Sequence, residues 1–175
     1  MPDDCDASGA VTGDPDSAPD RLLLDVMLGK LATYLRMCGY DAAYALDRDV
    51  EADDRLLALA GEERRRLLTR DHQLAHRAER DIPARSVLLH ERDVTDQLRE
   101  LRDVGYTLEL DAEPARCGRC NGPVRELAAD ERRPDYAPET TPDGEPMRVW
   151  RCRDCAQCFW KGSHWTRVSE TLAEL

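Results

Sequence analysis

Between residues 21 and 104 the apolar positions switch repeatedly between two spacings. Residues 22–25 read Leu-Leu-Leu-Asp, a short run that stays apolar until its last position, as a buried central strand requires. From 27 to 38 the spacing becomes helical. Leu28, Leu31, Ala32, Leu35 and Cys38 share one stripe, and Gly39 follows as a stop signal. The alternation then repeats. "YDAAYAL" (40–46) predicts a strand, 53–63 a helix with Leu56, Leu57, Leu59 and Ala60 on its apolar side, and "RRLLT" (65–69) a strand. "DHQLAHRAER" (71–80) predicts a helix capped by Asp71, "SVLLH" (86–90) a strand, and 95–104 a helix opened by Asp93 or Thr95. Short apolar strands alternating with helices predict an α/β domain with a mostly parallel sheet and right-handed crossovers.

Beyond about residue 110 the texture changes. Cys, Pro, Gly and Arg dominate, and helical periodicity returns only in "TRVSETLAEL" at the end. A boundary is expected within 108–115, giving a main domain over 21–110 and a small unit with a short C-terminal helix over 111–175. Residues 1–20 are acidic, rich in Gly, Pro, Ser and Ala, and have no apolar period. They are expected to be a disordered, solvated tail.

Charge narrows the function classes. The net charge is −11, and the basic residues are nearly all arginine, the lysines being Lys30 and Lys161. Acid excess with scarce lysine suits concentrated salt, where charge is screened within about 3 Å at 1 M. A halophilic source is the resulting expectation. In ordinary buffer, such a charge argues against nonspecific nucleic-acid binding. In molar salt that objection weakens, leaving short-range or metal-mediated contacts. No run approaches a membrane span, and no basic, apolar leader opens the chain, so a cytoplasmic location is expected.

Of seven cysteines, Cys5 lies in the tail, Cys38 ends a helix, and the others fall within 117–158. "CGRC" (117–120) and "CRDC" (152–155) are two C-x2-C knuckles, the spacing of a closed four-thiolate structural zinc site formed by Cys117, Cys120, Cys152 and Cys155. Cys158 repeats the spacing from Cys155, so 155/158 is an alternative pair, and His164 is a further possible ligand. The segment between the knuckles suits an antiparallel ribbon with a Pro-rich excursion at 134–146. A redox dithiol is the competing reading of the cysteines.

In a parallel α/β sheet, ligands bind beyond the carboxyl ends of the strands. Asp25 ends the first strand, Asp71 follows the third, and Asp53 opens the helix before it. Three carboxylates gathered there would hold a hard cation such as Mg²⁺ or Mn²⁺, with Lys30 and Arg70 placed to bind a phosphodiester. The plainer alternative is that Asp71 is an N-cap and Asp53 a first-turn acid facing the helix dipole. His72 and His76 share a helix face but lack a third ligand.

The runs "LLLDVMLGKLATYLRMCGYD", "DDRLLALAGEERRRLLTRDHQLAHR", "VLLHERDVTDQLREL", "RCGRCNGPV" and "WRCRDCAQCFWKGSHWTRV" occur in this order. Together they resemble the Mut-seven C-terminal RNase domain family over residues 21 to about 168. The resemblance implies a PIN-like three-layer domain with a mostly parallel central sheet, followed by a C-terminal zinc ribbon. It also implies metal-dependent cleavage of RNA, with the family's acids falling on Asp25, Asp53 and Asp71. Asp93 and Asp96 are candidates for a fourth acid. Ala156 stands where a glycine usually follows the second knuckle. The ribbon's Arg116, Arg119, Arg125, Arg151 and Arg153 would favour RNA. Phe159, Trp160 and Trp165 could stack on single-stranded bases or form the ribbon's own core. A non-catalytic RNA- or protein-binding module is the alternative function.

Overall fold

The computed structural model describes residues 21–82 and 86–175. The tail expected over 1–20 lies outside the described residues. Strand β1 (Leu22–Leu24) is central, and the sheet runs β2 (Ala42–Tyr44), β1, β3 (Arg66–Thr69), β4 (Ser86–Leu88). Every pairing is parallel, with Leu23 opposite Ala43 on one side and Leu67 on the other. The uninterrupted leucines of β1 follow from burial on both faces. Leu22 and Leu24 enter one core with Leu31, Leu35, Leu98 and Leu101 from helices α1 (Gly29–Met37) and α4 (Val94–Asp103). Leu23 enters a second with Leu56, Leu67 and Leu74, against α2 (Asp53–Glu62) and α3 (His72–Asp81). The result is the three-layer α/β arrangement that the alternating periods imply.

In the parallel-sheet domain, three boundaries are set by local turns and polar contacts that the periodicity does not show. The first helix begins as a 3-10 turn, Val26–Leu28, because the Asp25 carboxylate accepts from Val26 N at 2.6 Å. The second strand ends at Tyr44 in a further 3-10 turn, Ala45–Arg48, closed by Asp49 in the left-handed region at φ 53°. The fourth strand's last ladder bond runs from Leu89 N to the Thr69 carbonyl at 2.8 Å, and the amides after it turn away. His90 N and Glu91 N donate to Glu100, at 2.9 and 3.2 Å.

The C-terminal part forms an antiparallel sheet β5 (Val124–Glu126), β6 (Trp150–Cys152), β7 (Cys158–Phe159), with Met147, Val149 and Cys158 as its small core. The last helix, α5 (Ser163–Ala173), starts a turn earlier than its periodicity suggests. Leu172 and Leu175 pack back on the α1/α4 side of the main core. No helix among the described residues is long and apolar enough to cross a membrane.

Arg65, buried at the amino end of β3, ties this frame together. It donates to Asp41 Oδ1 at 2.7 Å and Glu63 Oε2 at 2.5 Å, and to the Leu22 carbonyl at 3.2 Å. Burial by itself would raise Asp41. Hydrogen bonds from Arg65 and Asn121 outweigh it and hold the carboxyl down to about 2. A depressed folded pKa adds stability above the unfolded value and loses it as pH falls through the folded one. Acid titration followed by circular dichroism should therefore lose about 2 kcal/mol between roughly pH 4 and pH 2. Asp41→Asn should flatten that segment of the curve.

Candidate functional site

Asp25 is 4% exposed at the carboxyl end of β1. One carboxylate oxygen takes the Val26 N–H, and the other takes the Thr69 hydroxyl at 2.7 Å. Thr69 Oγ1 in turn accepts from Asp71 N at 3.0 Å. This fully buried threonine thus links the ends of β1 and β3. Asp71 caps α3, taking Gln73 N at 2.7 Å and Leu74 N at 3.0 Å on the same oxygen, Oδ1. Tyr44, at the end of β2, donates to the Val26 carbonyl at 2.7 Å. A Cβ at Gly29 would lie 2.9 Å from its ring, so the ring's approach depends on that glycine. Burial and the nearby Asp47 and Asp25 carboxylates raise the Tyr44 phenol.

The other predicted residues spread around this edge. Asp53 is half-exposed at the start of α2, 3.7 Å from Arg77, which also bonds Asp54. Lys30 is exposed on α1 and contributes, after the Thr95 amide, to lowering Asp93, the cap of α4. Asp96 pairs with Arg99. The Nε of half-buried Arg70 has no hydrogen-bond partner among the described residues. The His72 ring stands edge-on to His90 at 5.7 Å rather than pairing with His76. Among the described residues, no three carboxylates bring an oxygen each within the 4.8 Å that unites the cysteine cluster.

That cluster is Cys117, Cys120, Cys152 and Cys155. Across it, Cys117 Sγ lies 3.7 Å from Cys155 Sγ, and Cys120 Sγ lies 3.5 Å from Cys152 Sγ. Four thiols whose sulfurs all lie within 4.8 Å of one another fit a tetrahedral Zn²⁺. Burial raises the Cys117 thiol, so a cation is what would make four thiolates tolerable there. Cys158 turns into the ribbon core and is not among the four. Ala156 adopts φ 58°, supplying from an L-residue the left-handed turn that glycine takes more readily. The ribbon is less basic than its arginines suggest. Glu131 pairs with Arg125 and Arg151, and Asp41 with Arg116.

Two residues that the sequence reading passed over fasten this site to the sheet. Asn121, at φ 68° just after the first knuckle, accepts from Ala42 N at 2.9 Å and donates to Asp41 at 2.7 Å. Arg36, 3% exposed on α1, donates to the carbonyls of Ala42 (2.8 Å), Gly118 (3.1 Å) and Arg119 (3.0 Å) and to Asp47 (3.0 Å). A buried arginine on an otherwise apolar helix stripe was the available signal. Arg36→Ala leaves these acceptors unpaired and should cost about 3 kcal/mol or more in urea denaturation, with faster zinc release.

A parallel sheet whose carboxyl edge carries a buried aspartate, joined to a four-cysteine ribbon, defines an α/β domain with an appended metal-site module. The profile of the Mut7-C RNAse domain matches residues 20–172, and the chain belongs to that family. Membership points to a nuclease-type role with RNA as the substrate class. Neither a curated protein nor a solved structure matches the chain.

Proposed function

We propose that this protein is a divalent-metal-dependent ribonuclease whose reaction takes place at the carboxyl edge of the parallel sheet. The observation that carries the proposal is Asp25, a buried carboxylate to which no basic side chain among the described residues is bonded, linked through Thr69 to Asp71. Each Asp25 oxygen accepts one hydrogen bond, leaving a lone pair on each for a cation. Mg²⁺ and Mn²⁺ typically keep several waters and need only one or two carboxylates plus substrate phosphate, so wide spacing of the acids suits them. Asp25 and Asp71 would hold the ion, with Asp53 acting through its waters; when bound, the ion supplies an activated water and neutralises charge on the phosphoryl oxygens. Thr69 and the Val26 amide fix the direction of the Asp25 carboxylate. Lys30 and Arg70 would hold the phosphodiester, and Zn²⁺ at the cysteines keeps the ribbon folded.

The test is cleavage of single-stranded RNA with Mn²⁺ in high salt, the condition its acidity suits. Asp71→Asn should lower the rate by about a hundredfold or more, and a rate equal to wild type would refute the site. The separation of the carboxylates favours one competing reading, a non-catalytic RNA- or protein-binding module. Calorimetry showing zinc at the cysteines but no Mn²⁺ bound at the sheet edge would establish that alternative.

A further inference from the structure

Between α1 and the ribbon lies a cleft of about 310 Å³ that the carboxylate chemistry does not use. Trp150 and Phe159 line it from the ribbon, Trp165 from the first turns of α5, and Thr33 and Met37 from α1. Trp150 is 2% exposed, whereas Phe159 and Trp165 are half-buried. Trp160 also lines the cleft, its indole held 6.1 Å from Tyr136 and close over Gly162. The polar side chains on the cleft include Arg116, Arg119, Gln157 and His164, and no acid is among its lining residues. Arg116 is paired with Asp41, but Arg119 and His164 have no ion-pair partner among the described residues. Lys161, one of two lysines in the chain, sits 5.1 Å from the Trp165 ring and 5.7 Å from Trp150 while bonding the Ala112 carbonyl.

Arg119 is exposed at the rim of the cleft that Trp150 and Trp165 line, so its guanidinium is free to meet an anionic group entering there. The volume is at the small end of ligand pockets and admits one flat ring, not a duplex. Aromatic faces with adjacent arginine suit an unstacked base and its phosphate. Lys30, Thr33 and Met37 fall at i, i+3 and i+7, one face of α1, so the cleft and the carboxylate edge lie along a single helix face.

We propose that this cleft is a nucleobase subsite, in which Trp165 stacks on one unpaired base of an RNA strand and Arg119 holds its phosphate. The strand then follows the Lys30 face of α1 toward Asp25. This inference rests on the ribonuclease reading for its substrate but uses different residues, and the two can fail separately.

The probe is a short fluorescein-labelled oligouridylate, bound to the zinc-loaded full chain without Mg²⁺ or Mn²⁺ and followed by anisotropy and tryptophan emission. Trp165→Ala should weaken binding about tenfold or more and remove most of the emission quenching, with Trp165→Phe restoring most of the affinity. Arg119→Gln should weaken binding and reduce the salt slope by about 0.7. Zinc content and Tm, measured alongside, separate these effects from misfolding. Wild-type affinity in both folded variants overturns the proposal, as does displacement of the probe by duplex RNA as readily as by single strands. Concentration-dependent dimerisation abolished by Trp165→Ala would also overturn it, assigning the cleft to a second copy of this chain. A protein that binds the strand through these residues but never cleaves it refutes the ribonuclease and keeps the subsite. Cleavage with unchanged KM in both variants does the reverse.

Discussion

Stripping zinc with a chelator, or replacing Cys117 by serine, should unfold the ribbon and destabilise the parallel sheet in the same transition. The ribbon cannot stand on its own core, which amounts to Met147, Val149 and Cys158 with a few half-buried neighbours. Structural zinc contributes on the order of 10 kcal/mol in small ribbons, far more than such a core supplies. The coupling to the sheet comes from the first knuckle. Gly118 and Arg119 lend their carbonyls to Arg36, and Asn121 binds Ala42 and Asp41. Once the knuckle relaxes, Arg36 loses two of its acceptors while still buried, and Asp41 loses one of the bonds that hold it ionised. Differential scanning calorimetry should show one cooperative transition in the zinc form and a lower, broader one after chelation. An unchanged upper transition would mean that the sheet does not depend on the knuckle.

The second large effect concerns activity. Asp25→Asn should abolish Mn²⁺-dependent cleavage, by about a thousandfold, while moving Tm by only a few degrees. The amide is nearly isosteric. Its oxygen can still take the Val26 N–H, and its NH₂ can donate to Thr69 Oγ1, which then turns its own proton away. Lost function with retained fold separates a ligating carboxylate from a merely structural cap. Asp25→Leu is the contrasting variant. It removes the cap of the 3-10 turn and strands the buried Thr69 hydroxyl, so stability falls as well. If Asp25→Asn cleaves RNA at the wild-type rate, the carboxylates are not the reacting centre.

Much of this was legible in the chain. The leucine run ending on Asp25, the Asp71 cap and the paired knuckles each obey a local rule, and the fold honours all of them. The choice of Cys152 over Cys158 was also readable, because "FW" after Cys158 reads as strand rather than turn, and β7 covers Cys158–Phe159. What escaped was long-range pairing. Nothing local says that Arg36, spaced like a core position, reaches across to residues 118 and 119, or that Thr69 bridges two aspartates. Likewise, five ribbon arginines look basic in one dimension, but Glu131 and Asp41 neutralise three of them. Asp53 shows the limit from the other side. Its place at a helix start was evident, but how far it stands from Asp25 depends on how α2 packs.

The bracket around Ala42 has one more effect. β2 is the outermost strand on its side of the sheet, and such a strand is a ready template onto which another chain can add. Asn121 occupies the Ala42 N–H and Arg36 its carbonyl, so the first cysteine knuckle sits where a fifth strand would begin. The knuckle thereby guards this edge against intermolecular strand addition. Once the knuckle relaxes, the uncovered β2 edge should make the destabilised molecules self-associate, in step with the loss of the ribbon.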